Sequence, residues 1–480
     1  MRKRKRIFAV LLTVGVWLSG MPGIADAAVP YRSYGYFDHR PYPIQSLFVP
    51  VGVIGAELYT EAPDGVREAV PGLNGPTDLF IDDEGYLYVS DTNNNRVVKM
   101  DDQGTLLLEF GAGENDNAKL NAPEGVYVAS NGNVYVCDTG NNRIAVYDAV
   151  GRWIDEIGKP DAVSLKDVTF IPSRVSMDAR GFLYVAAKGV NEGLIVISPD
   201  KQFAGFFGSN KVQLSLLDRL KYMLYSEKQR RSSAFGAASV TDVFIDREGF
   251  VYTTTSSAKS EQIKKYNVGG DNLFDGKNFR VDDRLALSGS YSGITVDHAG
   301  NIFAIDSGAG RIYQFDRDGN PMLSFGRKLT DSGLRVGMFG DPVSIKMNED
   351  GYLFVTDRLF NGVQVFRPTA FMKMIQKADD LFNAGQYAEA KQAGEEILKR
   401  NAFYYKAHYI IGKALYREGQ WKAAMARFKR VRDTASYSEA FWEWRVEWVR
   451  TYFGVVAAAF VVIFFSFAAV VQYQRRRRNG

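Results

Sequence analysis

Cysteine and histidine are almost missing from this 480-residue chain, which has one Cys and three His. A lone cysteine, Cys137, excludes an internal disulfide. Its place in the alternating apolar run Val134-Tyr135-Val136-Cys137 predicts a small buried hydrophobe. His39, His298 and His408 lie far apart in sequence, and no paired-cysteine site, serine elbow or phosphate loop appears. A basic excess is also lacking once the ends are set aside. The formal charge is +4, yet residues 1–27 carry a net +4 and the final arginines another +4, which leaves the remainder near −4. Phosphate or nucleic-acid binding therefore has little electrostatic support.

The two ends carry topological signals. Basic residues from Arg2 to Arg6, an apolar run from Ile7 to about Leu18 and the small residues Ala25-Asp26-Ala27 make the three-part pattern of a signal peptide (1–27), with cleavage after Ala27. An uncleaved leader would instead be a second anchor. Residues 451–473 are mostly apolar and uncharged, long enough to cross a bilayer as a transmembrane helix. The basic tail, 474–480, follows at once, and clustered arginine stays on the cytoplasmic side. The expectation is a single-pass cell-membrane protein with its bulk outside the cytoplasm. Export without disulfides points to a bacterial surface.

Between the ends, a motif returns. Asp91-Thr92-Asn93-Asn94-Asn95-Arg96 is answered by Asp138-Thr139-Gly140-Asn141-Asn142-Arg143, and more weakly by Asp306-Ser307-Gly308-Ala309-Gly310-Arg311. Each unit reads as short alternating strands around a glycine-containing turn. The turn glycines are Gly85, Gly132, Gly181, Gly249, Gly300 and Gly351, where a positive φ is expected. Four short strands in each of six units is the arithmetic of an all-β six-bladed propeller. After an N-terminal extension (28–44), it would span 45–368. Unit six has three strands and then Pro368, so the orphan apolar stretch from Leu47 to Leu58 is predicted to supply its outer strand and close the ring.

The wording of the units resembles the NHL repeat family: Pro-x-Gly-Val, Gly-x-x-Tyr-Val and Asp-Thr-x-Asn-Asn-Arg-Ile are nearly complete in the second unit. Units three and four lack the Asp-to-Arg run, and unit six keeps Asp357 but has Gly362 in the arginine's place. The resemblance implies that Asp91, Arg96, Asp138, Arg143, Asp306 and Arg311 are structural ties between strands and blades. Ligand binding is expected where the innermost strands begin, at Thr77, Asp78, Glu124, Arg174, Asp242 and Ser292, with Ser173, Thr241 and Ser344 beside them. Converging carboxylates there could hold calcium, and the similar gluconolactonase-like enzymes imply an alternative function as a metal-dependent lactonase. A zinc lyase of the amidating type would need histidines that the chain lacks.

Residues 209–236 form a basic amphipathic insertion, read as a helix on the rim or at a membrane or partner surface. From Phe371 the period becomes helical. Ala378 is answered by Gly412, Leu381 by Leu415, Gly385 by Gly419, Tyr387 by Trp421 and Ala390 by Ala424, all 34 residues apart. This spacing is similar to the tetratricopeptide (TPR) family and predicts a helical repeat segment at 371–435. A juxtamembrane helix (436–450) with Trp442, Trp444 and Trp448 leads into the span. The whole reads as a multidomain, non-enzymatic surface scaffold. Its propeller would be the recognition disc and its helices the spacer that binds another membrane or envelope protein, with no nucleic acid and no resident cofactor.

Overall fold

The computed structural model describes residues 29–37, 40–61, 67–113, 116–208, 239–256, 258, 260–280, 289–330 and 333–478. The expected signal peptide and the insertion at 209–236 lie outside these residues, as does His39. The chain divides into two compact units, Met1–Met372 and Lys373–Gly480.

The first unit is a six-bladed β-propeller. Blade one is built from Asp78–Ile81, Leu87–Asp91, Arg96–Met100 and Leu106–Phe110, paired antiparallel in that order. Blade two (Val126–Ile157) and blade three (Pro172–Phe207) repeat the plan. The first strands of successive blades contact one another in a ring, and that of blade six returns to blade one. The turns after these strands have a common cause. Asp82 Oδ1 accepts the amides of Glu84 and Tyr86, and Asp178, Asp246 and Asp297 do the same in their blades, while Asn348 accepts the amide of Tyr352 and blade two has Ala129 at this place. The glycine closing each turn has φ between +78° and +88° in all six blades, a region costly for any residue with a Cβ.

Blade six closes the ring with a strand from the other end of the unit. Pro342–Met347, Leu353–Asp357 and Gly362–Pro368 are completed by Phe48–Ile54, and Thr369 N bonds to Leu47 O at 2.9 Å. Phe48 stacks on Phe325 with centroids 4.8 Å apart. The pairing leaves no open edge at the seam.

Two blades depart from the four-strand expectation. Blade four has three strands among the described residues (Asp242–Ile245, Val251–Thr254 and Ile263–Tyr266). Its outer edge is met by the loop that follows, where Leu273 N donates to Lys265 O at 2.7 Å. Blade five (Tyr291–Phe325) has six strands, because Ser33–Phe37 and Arg40–Ile44 add to its outer edge. Residues 33–37 and 40–44, within the stretch read as an extension, are therefore part of a blade. Tyr36 is buried and its hydroxyl lies 2.9 Å from Ser324 Oγ. Pro41 and Pro43 fall on the outermost strand, where a missing N–H blunts the edge.

The second unit is helical. Ala370–Asn383 (α1) begins before the boundary; Tyr387–Arg400 (α2), Tyr405–Arg417 (α3), Trp421–Arg430 (α4) and Thr434–Arg478 (α5) follow. Ile411, Leu415, Ala424, Phe428 and Ala440 form the core of its last three helices. A Cβ on Gly412 would lie 2.7 Å from the Phe428 ring, so the small residue is what lets α3 and α4 approach. The stretch read as separate juxtamembrane and spanning helices is one unbroken helix of 45 residues, about 68 Å long at 1.5 Å per residue. It contains an 18-residue window of mean hydropathy 2.7, none of it buried, and is long and apolar enough to cross a membrane.

Candidate functional site

The repeated Asp and Arg make scaffold contacts in blades one and two. Arg96 Nε donates to Asp91 Oδ2 at 2.7 Å, Nη1 to Glu109 and Nη2 to Pro71 O and Gly72 O. Arg143 copies this with Asp138, Glu156, Asn117 O and Lys119 O. Each arginine thus ties three strands to the loop that enters its own blade. The threonine of the motif reaches further: Thr139 Oγ1 donates to Pro172 O of blade three at 2.8 Å.

Blade five breaks the pattern. Arg311 does not bond to Asp306; its Nε and Nη1 lack hydrogen-bond partners, and its guanidinium lies 5.0 Å from the centroid of Tyr34. The reason lies on the fourth strand, where register places Ser324 at the position of Glu109 and Glu156. Asp306 instead accepts from the amides of Gly289 and Ala309. In blade six, Gln364 Nε2 reaches Asp357 Oδ2 at 3.2 Å in place of an arginine. Burial pushes the Asp357 carboxyl above its ordinary range despite four hydrogen bonds that pull it down.

At the channel, the structure brings together most of the residues the sequence singled out. Thr77-Asp78 of blade one and Thr241-Asp242 of blade four face each other, three blades apart in the ring of six. Each pair is fastened to the next blade: Thr77 Oγ1 to Glu124 O (3.0 Å) and Asp78 Oδ2 to Val126 N (3.1 Å), Thr241 Oγ1 to Tyr291 O (2.9 Å) and Asp242 Oδ2 to Ile294 N (2.9 Å). Ser292 Oγ makes the same kind of bond to Pro342 O. Thr77, Thr241 and Ser292 are thus inter-blade ties at the mouth.

Arg174 of blade three lies between the two aspartates. Its Nη2 donates to Thr77 O at 2.9 Å and Nη1 to Ser173 O at 2.8 Å, while Nε is 3.6 Å from Asp242 Oδ1 and 3.9 Å from Asp78 Oδ1. Ser344 Oγ donates to Asp78 Oδ1 at 2.6 Å. Burial disfavours the guanidinium charge, but Asp78, Asp242 and Glu124 outweigh it and the net shift is upward. Burial also raises Asp242, against the opposing pull of Lys346 and Arg174. Glu124 stands apart, paired with Lys188.

This belt separates two cavities. One of about 390 Å³ lies at the mouth where the first strands begin and is lined by Thr77, Glu124, Arg174 and Ser292 among others. The other, about 680 Å³, lies on the side of the glycine turns, with Asp78 and Asp242 in its floor. Sequence reasoning missed the larger one because its rim is assembled from turns spread over some 270 residues.

The acids do not fit calcium. A hard cation of that size takes six to eight oxygens, whereas Asp78 and Asp242 share a guanidinium and spend oxygens on Ser344 and backbone amides. Among the described residues, no group of three or more His, Cys, Asp or Glu is placed to hold a metal ion.

A family model described as NHL repeat matches residues 120–147. That stretch is the run in blade two where the motif is most complete. No curated protein matches the chain. Among solved structures, the chain is similar to a streptogramin B lyase (12% identity, TM-score 0.41, covering 67% of this chain and 96% of the other). It is also similar to virginiamycin B lyase of Staphylococcus aureus, solved as an inactive variant with quinupristin (11%, 0.43, 71% and 99%). A third is a gluconolactonase of Xanthomonas campestris (14%, 0.43, 67% and 100%). Likeness at this distance carries no argument about chemistry.

Proposed function

We propose that the chain is a membrane-anchored, extracytoplasmic binding protein whose propeller is a rigid recognition disc. The observation that carries this reading is the Arg174 belt. The channel acids that would serve a metal-dependent hydrolase are committed to a buried guanidinium, a serine and backbone amides, so the centre of the ring is built for rigidity. The long apolar helix with arginines directly after it supports anchoring with the tail in the cytoplasm. Paired short helices with a 34-residue spacing and a glycine-aromatic contact support a TPR-like segment, which would dock another membrane or envelope protein.

Mild crosslinking in the native membrane, followed by detergent purification and identification of bound proteins, tests this. A reproducible stoichiometric partner, crosslinked through residues 371–435 or a propeller face, is the expected result. A lone protein that turns over lactones and loses this activity with Asp78→Ala would overturn it.

A further inference from the structure

The cavity of about 680 Å³ lies at the opposite end of the channel from the expected site, and its chemistry falls into three layers. In the floor, Asp78 and Asp242 are matched in number by Arg174 and Lys346, so this layer adds no net charge. Above it, Phe80 of blade one and Phe244 of blade four stand on opposite walls. Phe80 is held edge-on by Tyr127, with centroids 5.1 Å apart, and Lys346 Nζ lies 5.6 Å from the Phe244 centroid.

Two hydroxyls at this depth are unused. Ser176 and Thr295 line the cavity at 6% and 2% exposure, and neither side chain has a hydrogen-bond partner among the described residues. Their oxygens open onto the cavity, where a bound molecule can meet them. The rim is different again. Asp83, Glu84 and Asp350, on the neighbouring turns of blades one and six, are exposed and make no ion pair among the described residues, while Glu349 is held by Arg247.

We infer that this cavity binds a short amino-sugar oligosaccharide. Its apolar ring faces would lie against Phe80 and Phe244, its hydroxyls would meet Ser176 and Thr295, and its protonated amines would face the rim carboxylates. The volume falls within the range of small-ligand sites, roughly 300–1,000 Å³. A bare polyamine would leave the hydroxyls unsatisfied, and a neutral sugar would leave the rim charge unused. The inference rests on the binding reading above and gives it a ligand class.

The test is calorimetric titration of the full chain in detergent, at a pH where the amines are protonated. The probes are a glucosamine trisaccharide with three free amines, its N-acetylated counterpart, a neutral glucose trisaccharide and spermidine. The free-amine sugar should bind best. Two variants should each weaken it by roughly tenfold or more while melting stays unchanged: Asp83→Asn with Glu84→Gln and Asp350→Asn, and Ser176→Ala with Thr295→Val. Absence of binding, equal binding of the neutral sugar or of spermidine, or indifference to both variants would overturn the assignment. None of these results bears on whether a membrane partner crosslinks, so the two readings fail separately.

Discussion

Arg174 Nη2 donates to Thr77 O at 2.9 Å, joining blade three to blade one across the channel. The guanidinium is buried, and its Nε sits between Asp78 and Asp242 without a hydrogen bond of its own. Removing one partner of such a cluster leaves buried charge uncompensated. Arg174→Met should therefore destabilise the protein by about 3–5 kcal/mol, read as a lowered denaturant midpoint. Adding Asp242→Asn should recover part of the loss. Wild-type stability in the single variant would show that the belt contributes little.

The glycine of Pro123-Glu124-Gly125-Val126 is needed for close approach. A Cβ there would lie 2.9 Å from both Arg174 Cα and Ser173 O, backbone atoms of the next blade, and Gly293 meets Ser344 and Val343 in the same way at 3.1 Å. Gly125→Ala should cost about 1–3 kcal/mol through overpacking, measured by thermal melting. A neutral effect would mean that the blades can shift apart at this seam.

Cys137 is fully buried, and burial pushes its thiol well above the usual range. A thiol reagent such as Ellman's should react slowly with the native protein and rapidly in denaturant. Rapid modification without denaturant would mean that blade two opens readily.

His408 gives α3 and α4 a pH-dependent contact. Its Nδ1 accepts from Arg427 Nη1 at 3.1 Å, and Nε2 lies 3.0 Å from Ala402 O. Burial lowers its pKa from the ordinary 6.5, and Arg427 and Arg430 lower it further. The folded state thus prefers the neutral ring and the unfolded chain binds the extra proton. The contribution is fully present above pH 6.5 and is lost as the pH falls through the lower folded value. His408→Gln should flatten the pH dependence of helical-unit melting, followed by circular dichroism, over that interval. An unchanged slope would place the titration elsewhere.

Much of this fold is legible in the sequence because a propeller repeats its local physics. The Asp-x-x-Gly turn, the alternating strands and the Asp-to-Arg run recur at a regular period, and each copy reinforces the others. What escapes the eye is substitution by a different device. Gln364 replaces an arginine from two residues further on, and Ser324 removes the acidic partner of Arg311 without touching the motif itself. The strand 33–37 falls in the stretch read as an N-terminal extension, and the prolines of its neighbour at 41 and 43 carry no local strand signal, although an outermost strand tolerates them. For the site, the matched Thr77-Asp78 and Thr241-Asp242 are visible in the sequence as hydroxyl–carboxylate pairs where the inner strands begin. That Arg174 would lie between them depends on the ring bringing blades one, three and four to a common centre, which no local pattern encodes.

Metal content tests the central claim most directly. The full chain, purified in detergent with calcium present throughout, should retain no stoichiometric metal ion and should melt at the same temperature with and without a chelator. One retained equivalent that raises the melting temperature and disappears in Asp78→Ala or Asp242→Ala would contradict a channel closed by Arg174.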